Sequence, residues 1–198
     1  MKRFLKYVLP VVLGIALASC SPALKEIKAK SRSEKTGVFH EVKDNAAPPG
    51  GFADLTIKAD VKTHLEERYL IEAEGTFHGK PLYPMVINID GQAAVWEVEG
   101  QTEDAPEYYD ENGKKNPERG KGMKYALNKR IRLAAGPHRV FFGLPGDRSF
   151  KEVSITLDEG KASVLEFKPV YNRYRYEGRR STRGVDRIEV FLNGSSLQ

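Results

Sequence analysis

Cysteine is almost missing from this chain. Cys20 is the only one in 198 residues, so no intrachain disulfide can form. Histidine is scarce as well: His40, His64, His78 and His138 are scattered, with no H-x-x-H pair and no cysteine at ligand spacing, which argues against zinc. His138 follows Gly136-Pro137 at the start of a strand pattern and is expected to be a half-buried strand residue. There is no Gly-rich phosphate loop, no serine elbow and no spare cysteine nucleophile. Asp and Glu could serve as acid–base pairs on glycans, but they alternate along the polar faces of strand patterns, where solubility wants them. Asp110-Glu111-Asn112-Gly113 has the oxygen-rich look of a calcium loop, yet no carboxylate follows at the required place. The expectation is a protein that is not an enzyme, with no catalytic residue, no metal and no cofactor.

A long apolar run is also wanting. Tyr7 to Ala18 carries no charge, but it is shorter than the ~20 apolar residues a spanning helix needs, and Pro10 and Gly14 interrupt it. Ahead of it stand Lys2, Arg3 and Lys6 with no acid; behind it come the small residues Ala18 and Ser19. A basic head, a short apolar middle and small residues before a cut make an export signal over 1–19. The stretch Leu17-Ala18-Ser19-Cys20 resembles the lipobox of bacterial lipoproteins. That resemblance implies a diacylglycerol (palmitate-type) thioether on Cys20, cleavage just before it, and a chain tethered to a membrane by lipid. Ser21, in place of an aspartate, implies the outer membrane facing the periplasm. Removing the 19 leader residues from 198 leaves 179, and removing its three cations lowers the formal charge from +5 to about +2. Such a small excess gives no reason to expect nucleic acid as a partner.

Residues 20–52 are Lys-, Ser- and Ala-rich and end on Pro48-Pro49-Gly50-Gly51, which reads as a lipidated N-terminus and flexible linker in which Leu24 and Ile27 mark at most one helical turn. From 53 to 194 the pattern changes to period two. Leu55, Ile57, Ala59 and Val61 share one face; so do Met85, Ile87 and Ile89; so do Ala94, Trp96 and Val98. "YLIEAEGTF" (69–77), "YALNKRIRL", "HRVFFGL", "KEVSITL", "ASVLEFKPV" and "DRIEVFL" continue the series, and Asp90-Gly91 supplies a tight turn. About eight to nine short strands with one dry face each predict an all-β, antiparallel β-sandwich. Residues 100–124 break the rhythm, with five acids in the first half and five bases in the second, and read as a loop insertion.

"INIDGQ", "LAAGPHRVFFGLPG" and "FKEVSITLDEGKASVLEF" resemble the PEGA-type surface domains of bacterial envelope proteins, through Leu133, Gly136, His138 and Val140 and then Val153, Ile155, Leu157 and Gly160. The resemblance spans roughly 84–169 and lacks the namesake tetrapeptide. It implies an immunoglobulin-like sandwich with a binding or structural role. The most distinctive remaining stretch is 171–187, with six arginines, three tyrosines and two acids. Arg173, Tyr174, Arg175, Tyr176, Arg179 and Arg180 form a candidate partner-binding surface, since forked guanidinium bonds and ring stacking suit an anionic lipid, lipopolysaccharide phosphates or an acidic envelope protein. The competing reading is a charged edge that blocks strand pairing. Two other functions stay open: a tethered enzyme acting on cell-wall glycan or peptide, and an assembly accessory that docks by strand addition.

Overall fold

A computed structural model describes residues 21–43, 46–65, 76–109, 111, 113, 115–171 and 184–197. Among these are one helix, α1 (Pro22–Lys30), and ten strands: β1 (Phe39–Glu41), β2 (Phe52–Thr63), β3 (Leu82–Ile89), β4 (Gln92–Ala105), β5 (Gly120–Ala134), β6 (Gly136–Leu144), β7 (Ser149–Leu157), β8 (Ala162–Tyr171), β9 (Val185–Leu192) and β10 (Ser195–Leu197). Nine strands follow the order β10-β9-β8-β2-β5-β4-β3-β6-β7, and β1 joins the free part of the β5 edge. β7 comes back alongside β9 without a ladder among the described residues, so the sheet is nearly closed into a barrel.

The alternation fills the interior as expected. Leu55, Ile57, Met85, Ile87, Tyr125, Ile131, Val140, Phe142, Leu165, Phe167 and Val190 are buried in one cluster. Their burial is the main force holding the fold, at roughly 1.5–3 kcal/mol for each large apolar side chain. Asp90 and Gly91 both have positive φ, 50° and 99°, and join Ile89 to Gln92 in the two-residue turn that suits the twist of a hairpin.

Four expectations are corrected. The sheet is mixed, because β2 runs parallel to β8 from Asp54↔Ala162 to Ala59↔Phe167 while the other ladders are antiparallel. Nor are there two separate sheets of an immunoglobulin-like sandwich: β4 pairs with β3 through Glu99 and then with β5 from Gly100, carrying one sheet into the other. Gly100 marks that passage, since a Cβ there would lie 2.6 Å from Met123 Cγ and 2.7 Å from Tyr125 Cε1.

Residues 100–124 are not a loop throughout. β4 and β5 extend into them, leaving 106–119 between the strands. The acidic half lies across the ladder from the basic half, with Asp104 opposite Lys121 and Glu103 3.4 Å from the Lys124 ammonium. The charge asymmetry of the sequence is cross-strand pairing.

Residues 20–52 are not a plain linker either. Pro22 opens α1 in its first turn, where a missing amide costs nothing, and Lys28 and Lys30 sit at its negative end. Ile27 packs on Val86 and Phe141, the outer face of β3 and β6. Asn88 Nδ2 donates to the Lys30 carbonyl at 2.9 Å. Further on, Phe39 pairs with Leu133, and Gln92 clamps the strand by accepting from the Val38 amide at 2.7 Å and donating to the Phe39 carbonyl at 2.8 Å.

Candidate functional site

Four polar constellations have the geometry to be considered. The first surrounds Asp147, whose side chain is 1% exposed. Its Oδ2 accepts from the Tyr83 hydroxyl at 2.5 Å, and its Oδ1 accepts from the Val185 amide at 2.7 Å and lies 3.2 Å from His78 Nε2. The His64 ring meets the His78 ring edge-on at 5.3 Å between centroids. Burial, with the Asp147 carboxylate beside it, pushes the Tyr83 hydroxyl well above the ordinary tyrosine range, so it stays protonated and donates. A histidine, a carboxylate and a tyrosine are the parts of an acid–base relay. Here both carboxylate oxygens are consumed by bonds that bind the β6–β7 turn to β3 and to the start of β9.

The second constellation sits around Lys62, whose side chain is 1% exposed. Its ammonium donates to Glu103 Oε2 at 2.8 Å and to the Gly120 carbonyl at 2.9 Å. The Lys62 hydrogen bond holds the Glu103 carboxyl below the usual glutamate range against the opposing effect of burial. Beside it, the Tyr171 hydroxyl donates to Glu118 at 2.9 Å and accepts from the Lys62 amide. This braces the strand ends at the base of the 106–119 loop.

The third is Asp54, also 1% exposed, whose carboxylate receives Arg132 Nε at 2.7 Å and both Arg130 Nε at 3.1 Å and its terminal nitrogen. Among the described residues no buried side-chain nitrogen or oxygen lacks a hydrogen-bond partner. No group of three or more His, Cys, Asp and Glu among them is placed to hold a metal ion.

The fourth constellation is open. A groove of about 450 Å³ on the outer face of β2, β5 and β8 is lined by Val42, Lys43, Thr56, Lys58, Asn128, Arg130 and Val164. Register explains the grouping: Thr56 stands opposite Arg130 and Val164, and Lys58 stands opposite Asn128. The chain leaving β1 forms one wall. The Val42 amide donates to the Arg130 carbonyl at 2.9 Å, and Arg132 donates to the Ala46 carbonyl at 2.9 Å.

His138, expected to be half-buried, is a buried strand residue with partners on both ring nitrogens: Nδ1 lies 2.7 Å from Asp90 Oδ2 and Nε2 lies 2.8 Å from the Ala134 carbonyl. It ties the Asp90-Gly91 turn to the β5–β6 corner. His64 is buried as well. Cys20 lies outside the described residues, as do Arg173, Tyr174, Arg175, Tyr176, Arg179 and Arg180. Of that segment's described flanks, Tyr171 is buried, and Arg187 is exposed and donates to Glu189 at 2.8 Å. Sequence reasoning missed the groove and the Asp147 hub. The polar faces Thr56-x-Lys58 and Asn128-x-Arg130 were visible, but nothing in the sequence says that they are neighbours. No helix among the described residues is long and apolar enough to cross a membrane. The chain matches no protein-family model, no curated protein and no solved structure.

Proposed function

We propose that this chain is a lipid-anchored protein of the bacterial cell envelope, held to the outer membrane on its periplasmic side, whose β-barrel body is a non-catalytic binding or structural module. The observation that carries the reading is the leader: a basic head, the apolar stretch 7–18, and Leu17-Ala18-Ser19-Cys20. Two or more acyl chains at Cys20 anchor firmly where one would hold only marginally. The described body supports the non-catalytic part, because Asp147, Asp54 and Lys62, the buried charges of the three closed constellations, are engaged in bonds between strands. The Arg/Tyr segment 173–180 supplies a contact surface for anionic envelope material.

The anchor is tested by Cys20→Ala. The variant should accumulate as a precursor that takes up no labelled palmitate, whereas equal labelling of variant and parent would overturn the reading. The contact is tested by changing Arg173, Arg175, Arg179 and Arg180 together to Ser, which should abolish salt-sensitive retention on anionic envelope material.

A further inference from the structure

We infer that one end of the barrel, the end carrying the β6–β7 turn, lies against the membrane surface and is held there by α1; the inference rests on the lipid anchor proposed at Cys20. A free linker over 21–52, as the sequence suggests, could lift the body by up to roughly 100 Å, at about 3.3 Å per extended residue. The described chain leaves far less slack. α1 opens at Pro22, and its Ile27 is 1% exposed and packs on Val86 and Phe141 of the barrel wall. The two residues from Cys20 to Pro22 span at most about 7 Å. Lipid on Cys20 therefore brings the first turn of α1, and the wall it is packed on, to the headgroups.

Two contacts decide which end this is. Ile27 lies over Gly143, where a Cβ would stand 3.2 Å from Ile27 Cγ1, and Gly143 is paired with Val86. The Lys30 carbonyl accepts from Asn88, further along β3. α1 thus runs in the direction of β3, and its first turn points back toward the start of β3 and the β6–β7 turn. Five residues of helix from Ile27 to Pro22, about 7.5 Å, match roughly two residues of strand, from Val86 to Pro84. The exposed groups at this end suit a headgroup layer. Phe150 is 39% exposed and stacks on Phe141 at 5.3 Å between centroids, which extends the Ile27 cluster outward. Leu82 is 41% exposed, and Arg148 and Lys25 are exposed cations. Apolar groups beside Lys and Arg make up surfaces that lie in a membrane interface. Gly184, where the described chain resumes after the Arg/Tyr stretch, is at the same turn: a Cβ there would lie 2.5 Å from Asp147 Oδ1.

The test uses the full chain, purified from its host membrane and reconstituted into phosphatidylethanolamine–phosphatidylglycerol vesicles that contain a headgroup-nitroxide lipid. Cys20 is the only cysteine, and its sulfur is blocked once it is a thioether, so a single introduced cysteine carries the fluorophore. Lys25→Cys, close to the anchor, is the positive control. Lys161→Cys is the far-end control, because the nine residues of β7, about 30 Å of strand, separate its turn from the β6–β7 turn. Arg148→Cys and Leu82→Cys are two independent test positions, so one poorly folding variant does not void the result. Quenching at Arg148→Cys and Leu82→Cys should approach that at Lys25→Cys and be absent at Lys161→Cys. Adding Ile27→Asp should sharply reduce quenching at Arg148→Cys and leave it at Lys25→Cys, because the body is then no longer pinned to α1. Quenching at both test positions as weak as at Lys161→Cys, in protein whose Cys20 peptide carries diacylglycerol by mass, overturns the orientation and leaves the anchor standing. A bare Cys20 peptide overturns the anchor and this inference with it.

Discussion

Tyr83 and Asp147 are joined by a hydroxyl-to-carboxylate hydrogen bond of 2.5 Å, and the same carboxylate accepts from the Val185 amide at 2.7 Å. One buried side chain thus ties β3 to the first residue of β9, where β7 and β9 lie side by side without a ladder among the described residues. Tyr83→Phe removes one of three donors and should cost about 1–2 kcal/mol. Asp147→Ala should cost more, because it leaves the Tyr83 hydroxyl and the Val185 amide buried without an acceptor. Hydrogen exchange at Val185 is the diagnostic measurement. It should quicken strongly in Asp147→Ala, and an unchanged rate would show that the seam is held by other means.

Asp54 sets a pH dependence. The Arg132 hydrogen bond holds its carboxyl below the usual aspartate range against burial, which raises it, and Arg130 adds to the depression. A folded-state pKa below the unfolded value of ~3.9 stabilises the fold at neutral pH, and that stability is withdrawn as pH falls through the folded value. Glu103, held low by Lys62, acts with the same sign. Asp54→Asn should lower stability at pH 7 by about 1.5–3 kcal/mol and flatten the acid limb of the stability curve. Chemical denaturation at pH 7 and pH 3 measures both, and an acid limb as steep as the parent's would refute the assignment.

Gly100→Ala places a methyl against Met123 and Tyr125 where β4 passes from β3 to β5. Overpacking of this kind costs about 1–3 kcal/mol, or a fall of roughly 2–4 °C in melting temperature per kcal/mol at this chain length. A thermal melt within a degree of the parent would mean that the corner relaxes freely.

Ile27→Asp should release α1 from Val86 and Phe141 and leave the main core intact, since these three residues form their own cluster. The expected result is rapid tryptic cleavage after Lys25 or Lys28 with little change in the main unfolding transition. Parent and variant cut at the same rate would mean that the helix does not protect this segment.

The strands were largely legible in the sequence. Leu55, Ile57, Met85, Ile87, Ile131, Val153 and Ile155 all lie in the core as their alternation says, because a side chain two residues on returns to the same face. The reading failed where a second partner was needed. Val86 and Asn88 alternate with Met85, Ile87 and Ile89, on the face that a strand with one dry side leaves to solvent, and are buried because α1 covers them. The charges of 103–124 looked like a solvated loop, because the pairing of Glu103 with Lys62 and Lys124 crosses up to 41 residues of chain. The Asp147 hub spans 64 residues to Tyr83 and 69 to His78, beyond any local pattern.

Sequence by itself determined the period-two faces and the Asp90-Gly91 turn, since each depends on residues within a few positions of one another. Tertiary structure alone decided that β2 lies parallel to β8, that β4 joins two sheets into a nearly closed barrel, and that Lys43, Lys58 and Arg130 line one groove. Alternation tells each strand which side to bury; it carries no information about which strand lies beside it, and that choice is made by closing a single core.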